Sequence, residues 1–138
     1  MSRRFLALLA AAPLCASAPL QAHHSFSAEY DRDKPVTLIG TVNKVEWTNP
    51  HARIYIDVKD EAGNVATWDC ELGPPNGLMR QGWTRNSLRQ GQMVTINGFL
   101  SKTDAHIANA RSVHLPDGRQ VFAGSSFDTD AAAEPAPQ

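Results

Sequence analysis

Between Val36 and Phe122 the chain alternates apolar and polar residues with the two-residue period of half-buried strands. In the first run, Val36 to Trp47, one face carries Leu38, Gly40 and Val42, and Val45 and Trp47 continue it only after a shift of one residue. That phase slip at Asn43-Lys44 predicts a β-bulge, which bends a strand so that a sheet can close. Next, Ala52, Ile54, Ile56 and Val58 point one way while Arg53, Tyr55, Asp57 and Lys59 point the other. This is the pattern of an antiparallel strand with one wet face. Asp60 to Asn64 includes Gly63 and predicts a hairpin loop. The returning strand carries Ala66, Trp68, Cys70 and Leu72 inward, with Thr67, Asp69 and Glu71 outward in the manner of a solvated face. Cys70 then reads as a small, inert core residue.

Pro74-Pro75 interrupts the sheet, and Asn76 is placed to cap a short helix running to Gln81. Thr84 is placed to cap a further turn through Leu88 that ends at Gly91. Strand character returns in Met93 to Leu100, Ile107 to Leu115 and Gln120 to Phe122, with Pro116-Asp117-Gly118 as the turn between the last two. The order predicts an all-β fold, a small OB-fold-like Greek-key barrel of five to six strands with one short helical segment between strands three and four. A small sandwich is the alternative, but it calls for about seven strands.

The ends of the chain read differently. Arg3-Arg4, the apolar run Phe5 to Ala12 and the small residue Ala22 predict a signal peptide over residues 1–22, cut after Ala22. A cut after Ala18 would leave Pro19 at the start of the product, and the apolar run is too short to span a bilayer. Cys15 lacks the leucine three residues earlier that a lipoprotein signal carries. A periplasmic or secreted location follows as an expectation. Residues 23–124 are then one domain, opening with a polar lead-in, 23–35, anchored by Phe26 and Tyr30. Residues 125–138, poor in large apolar groups and containing proline, predict a disordered tail.

Composition narrows the partners. Of 13 Lys+Arg, Arg3 and Arg4 leave with the signal, so 11 face 14 Asp+Glu, a balance of −3 over residues 23–138. Overall negative charge argues against an electrostatic nucleic-acid or anionic-membrane binder. The outward face of strands two and three, with Arg53, Tyr55, Asp57, Lys59, Thr67, Asp69 and Glu71, offers one aromatic and nearly balanced charge, too little for a nucleic-acid stacking platform. With Cys15 in the signal, Cys70 has no internal disulfide partner, so stability rests on an apolar core.

The chain also carries four segments in order: His23-His24-Ser25-Phe26, then Gly40 to His51 (GTVNKVEWTNPH), Asn76 to Thr84 (NGLMRQGWT) and Asn109 to Val113 (NARSV). Over nearly all of residues 23–126 it resembles an uncharacterised family of short exported bacterial proteins, domain-of-unknown-function family 6152. The resemblance implies export and a fold of the kind read above, and supplies no activity.

Two clusters carry candidate chemistry. Cleavage after Ala22 would make His23 the first residue, with a free amine titrating near pH 8 and an imidazole near 6.5. Amine and ring of His23 can close one chelate; amine, His24 amide and His24 imidazole can close two fused rings. Such nitrogen-rich sets favour Cu(II). The plain alternative is a pair of solvated histidines at a frayed terminus. His51 follows the Asn49-Pro50 turn, in the loop between strands one and two that OB-folds use for ligands. With Trp47, Thr48 and Asn49 it would cluster at a barrel mouth and complete a donor set; otherwise it caps a strand end. The expected metal ligands are therefore His23, His24 and His51, with Trp47, Asn49, Arg53 and Tyr55 as a ligand face. His106 reads as an exposed loop residue. No nucleophile elbow or phosphate loop is present, so no catalytic residue is assigned. Two functions fit: an exported copper-binding module, or a metal-free module recognising a peptide, glycan or other envelope component.

Overall fold

The bulge at Asn43 is where the sheet turns. In the computed structural model, which describes residues 26–124, strand β1 (Tyr30–Glu46) pairs antiparallel with β2 (Arg53–Lys59), and the register slips between Val42↔Ile56 and Lys44↔Tyr55. The earlier half of β1 pairs along its other edge with β4 (Met93–Ser101), from Tyr30↔Ser101 to Thr41↔Met93. One long bent strand thus serves two neighbours. β2 pairs with β3 (Val65–Glu71) across the Asp60–Asn64 hairpin, where Gly63 takes a φ of 90°. β4 pairs with β5 (Ile107–His114), and β5 with the short β6 (Gln120–Phe122). A parallel pairing of β3 with β5, Asp69↔Ile107 to Glu71↔Asn109, completes a ring in the order β3-β2-β1-β4-β5. The all-β, five-to-six-strand arrangement expected from the alternation is present.

Further register shifts lie between Tyr30 and Pro35 on β1 and between Asn97 and Gly98 on β4. At the latter, a Cβ on Gly98 would collide with the Asn109 carbonyl oxygen, so only glycine permits the strands to approach this closely. Inside the ring Leu38, Val42, Ile54, Ile56, Cys70, Leu72, Val94, Ile96, Ala108 and Val113 form one buried cluster. The inward assignments of Cys70 and Leu72 hold, while Trp68 is only half-buried, its ring edge against exposed His106 at 5.2 Å. The fully enclosed tryptophan is Trp83, whose Nε1 donates to the Phe122 carbonyl at 2.8 Å.

Three expectations need correction. Strand one begins at Tyr30 and not at Val36, because beyond Pro35↔Phe99 and a register shift the lead-in pairs with β4 again at Tyr30↔Ser101. Ahead of it Phe26–Glu29 forms a single helical turn, α1. The helix after β3, α2 (Pro75–Arg80), starts one residue before Asn76, with Pro74 at the cap position and no side-chain cap bond. Proline suits the first helical position because its missing N–H is unneeded there. Lastly, Thr84 organises a turn through Ser87 without a helix: its hydroxyl accepts the Asn86 amide at 3.2 Å and its carbonyl the Ser87 amide at 3.1 Å.

Candidate functional site

The outward face of β2 and β3 was expected to be wet, but part of it is roofed. Alternation puts Glu71 opposite the core residues Cys70 and Leu72, yet Glu71 is 4% exposed. The roof is the start of the described chain. Phe26 stacks on Tyr30 with ring centroids 5.5 Å apart and meets Phe99 edge-on at 5.7 Å. Both Phe26 and Tyr30 are buried. The Glu29 carbonyl accepts the Lys102 amide at 2.9 Å, and the Ser27 carbonyl accepts Lys102 Nζ at 2.6 Å, which fixes α1 to the end of β4.

Beneath this roof lies a polar cluster centred on Glu71. Arg53 donates from Nη2 to Glu71 Oε2 at 3.0 Å and from Nη1 to Asp69 Oδ2 at 2.6 Å, a fork holding two carboxylates of one strand face. His51 Nδ1 lies 3.4 Å from the other oxygen, Glu71 Oε1. Glu71 also acts electrostatically on the buried Tyr30 hydroxyl, so the lead-in and His51 both feel this one carboxylate. Burial pushes the Tyr30 phenol well above its ordinary value, and the Glu71 charge pushes it further in the same direction. For Arg53, burial works against the charged form, but Asp69 and Glu71 outweigh it and leave the pKa raised. Directly beside Glu71 in the parallel ladder stands Asn109 of β5, fully buried, with neither side-chain polar atom hydrogen-bonded among the described residues. Asp69 Oδ1 is likewise buried without a partner there. This face therefore has polar capacity to spare.

The remaining expected site residues sit around it. Tyr55, half-buried on β2, donates to Glu46 Oε2 at 3.1 Å, and Lys44 Nζ lies 4.4 Å from its ring centroid. Hydrogen bonds from Lys44 and then Tyr55 hold the Glu46 carboxyl below its ordinary value. Trp47 is half-buried against the core, and Asn49, joined to Pro50 by a cis peptide bond, is exposed beside Thr48. His51, Arg53 and Tyr55 therefore share one face, while Trp47 turns to the core. His23 and His24 lie outside the described residues. Among the described residues no three His, Cys, Asp or Glu side chains come together as a metal site. A metal site involving His51 would need donors from outside them. Tyr30, Glu71 and Asn109 were not singled out from the sequence; the signal that existed for them was the anchor role of Tyr30 and the outward phase of Glu71.

The fold and cluster define a small all-β ring domain with a covered polar site on its outer wall. The chain belongs to a family of unknown function, DUF6152, whose family model matches residues 12–109. No curated protein and no solved structure matches it.

Proposed function

We propose that this protein is an exported, periplasmic copper-binding module in which the histidine terminus left by signal cleavage works with His51. The observation that carries the reading is that His51 Nδ1 lies 3.4 Å from the buried carboxylate of Glu71, whose charge also acts on Tyr30 of the lead-in. Histidine ligands of metals commonly engage one ring nitrogen with a carboxylate, which fixes the ring and raises the basicity of the other nitrogen. His51 Nδ1 stands 3.4 Å from such a carboxylate, and its side chain is 37% exposed, which leaves Nε2 for a metal.

Reach supports the same reading. His24 is two residues ahead of Phe26, and a chain spans at most about 3.6 Å per residue. Phe26 is stacked on Tyr30, on which the Glu71 charge acts, so the described chain begins beside the His51 cluster. Charge is favourable too: Glu71 and Asp69 exceed Arg53 by one negative charge, which suits a cation. His23 would supply its amine and imidazole, His24 its imidazole or amide nitrogen, and His51 the closing donor.

Copper titration of protein processed to begin at His23 tests this, alongside protein carrying one extra residue ahead of His23. The native terminus should bind Cu(II) tightly, the extended one weakly, and His51→Ala should weaken binding while His106→Ala leaves it unchanged. Because the ligand nitrogens must be deprotonated, binding should fade as pH drops through about 6.5. Equal binding by native and extended termini would remove the amine from the donor set and leave the metal-free interaction module as the better reading.

A further inference from the structure

The overall charge balance conceals a strong segregation. From Leu72 to Thr103 the chain contains Arg80, Arg85, Arg89 and Lys102 and not one Asp or Glu. The rest of residues 23–138 holds all 14 acidic residues and 7 basic ones. Lys102 is engaged with the Ser27 carbonyl. The three arginines are exposed, and none forms an ion pair among the described residues.

The segment that carries them has a fixed orientation. Leu78, Trp83 and Leu88 are buried in the core, while Met79, Arg80, Arg85 and Arg89 beside them are exposed. Backbone hydrogen bonds hold it: Trp83 N to Leu78 O at 3.1 Å, Ser87 N to Thr84 O at 3.1 Å, and Gly91 N to Val42 O at 2.8 Å. Arg80, Arg85 and Arg89 thus project from one anchored segment, together with Met79, whose side chain is among the exposed large hydrophobics at 51%. Screening limits electrostatic attraction to about 8 Å at physiological salt, so an approaching surface responds to this local concentration and not to the balance of the whole chain.

We infer that Met79, Arg80, Arg85 and Arg89 form a docking surface for an anionic phospholipid bilayer. Guanidinium groups match phosphate in a two-point geometry, and an exposed methionine among them gives the interfacial region an apolar contact. A glycan partner would call for exposed aromatic rings, and the one aromatic of this segment, Trp83, is buried with its N–H committed to Phe122. The inference stands whether or not the metal reading holds, since it shares no residue with it.

Sedimentation with vesicles of phosphatidylcholine alone, and with phosphatidylglycerol added, tests it on the full processed chain. Each basic residue near an anionic surface strengthens partitioning roughly fivefold, so the three together should supply on the order of a hundredfold. Binding should require phosphatidylglycerol and collapse at about 1 M salt, where screening falls to about 3 Å. R80A/R85A/R89A should abolish it, and Met79→Ala should weaken it. K34A/K59A/R119A, which removes three exposed charges elsewhere, should leave it intact. The inference is overturned if the two vesicle types bind equally, if neither binds, or if the arginine triple variant binds as well as the parent. Binding of a soluble anionic polysaccharide without vesicle binding would reassign the surface to glycans. Vesicle binding that emerges only after removal of residues 125–138, which contain Asp128, Asp130 and Glu134 and follow Gly124 beside Gln81, would assign it instead to the chain's own acidic segment.

Discussion

Phe26→Ala asks whether the roof over Glu71 is a separable part of the fold. Phe26 is 1% exposed and belongs to a helical turn of four residues, Phe26–Glu29. Ordering four residues costs about 4–8 kcal/mol in backbone entropy. Burying the ring returns about 2–3 kcal/mol, and its contacts with Tyr30 and Phe99 add about 0.5–1.5 kcal/mol each. The two hydrogen bonds to Lys102 supply about 1 kcal/mol apiece. Docking is thus close to balance with the ring present and unfavourable without it. The variant should release α1 while the ring of strands stays closed, so its global stability should fall by less than the roughly 3–5 kcal/mol of a core Phe→Ala change. Native-state hydrogen exchange separates the two outcomes. The Lys102 amide, which donates to Glu29, should lose protection, whereas the amides of Val42 and Leu72, bonded to Gln92 and Ala52, should keep theirs. Copper affinity should fall in parallel, because the tether between the histidine terminus and His51 is gone. If Lys102 stays as protected as Leu72, or all three amides are lost together, the roof is not an independent unit and the reasoning fails.

How much of this was legible depends on whether a signal was local. Strand alternation is local: the phase slip at Asn43 and the inward set Ile54, Ile56, Cys70 and Leu72 could be read directly, because period two and burial are the same fact in a half-buried strand. The start of β1 was not, since Asp31, Asp33, Lys34 and Pro35 break the apolar alternation and the chain pairs with β4 again only at Tyr30↔Ser101, beyond a register shift. Glu71 was read correctly as outward and wrongly as solvated; its burial comes from Phe26 and Tyr30, some forty residues away in the chain. Trp68 packs against the core as its phase indicates but stays half-buried at its edge beside His106, while Trp83, to which the alternation gave no role, is buried. The helix start at Pro75 was available to sequence reasoning through the preference of proline for the first turn, and Asn76 was the weaker signal. The arginine segment was also available, and a whole-chain charge sum hid it.

Three further outcomes follow from the site and core. Cys70 is fully buried and its thiol is pushed up to about 12 by burial and by Asp69, so a bulky thiol reagent should label it only as fast as the protein unfolds; rapid labelling in native buffer would mean the β3 register is off by one. Both Cys70 and Tyr30 are raised from ordinary values of 9.0 and 10.0, so above those pH values the unfolded chain ionises first. Stability should therefore be complete below pH 9 and fall beyond it, by up to about 1.4 kcal/mol per pH unit for each group. Tyr30→Phe should flatten the part of that decline beginning at pH 10, as followed by urea midpoints, and an unchanged slope would deny its burial. Glu71→Gln should reduce copper affinity about 10–100-fold, the usual effect of removing a carboxylate behind a histidine ligand, while circular dichroism shows the fold retained.

That last variant bears on why Glu71 is charged at all. The interior of the ring is filled by apolar side chains, so any ligand chemistry must sit on the outer wall. There a buried carboxylate is a poor stabilising device: desolvation offsets most of its attraction to Arg53, and an apolar residue of similar size serves packing as well or better. Arg53 already has a carboxylate partner in Asp69 at 2.6 Å. What Glu71 adds is geometric. Its Oε2 takes Arg53, which fixes the carboxylate plane, and its Oε1 is left to meet His51. Glu71 also acts electrostatically on Tyr30. On the proposed metal reading, a carboxylate held from one side and offered on the other would orient the His51 imidazole, and Glu71→Gln, which keeps the shape and removes the charge, separates that role from packing.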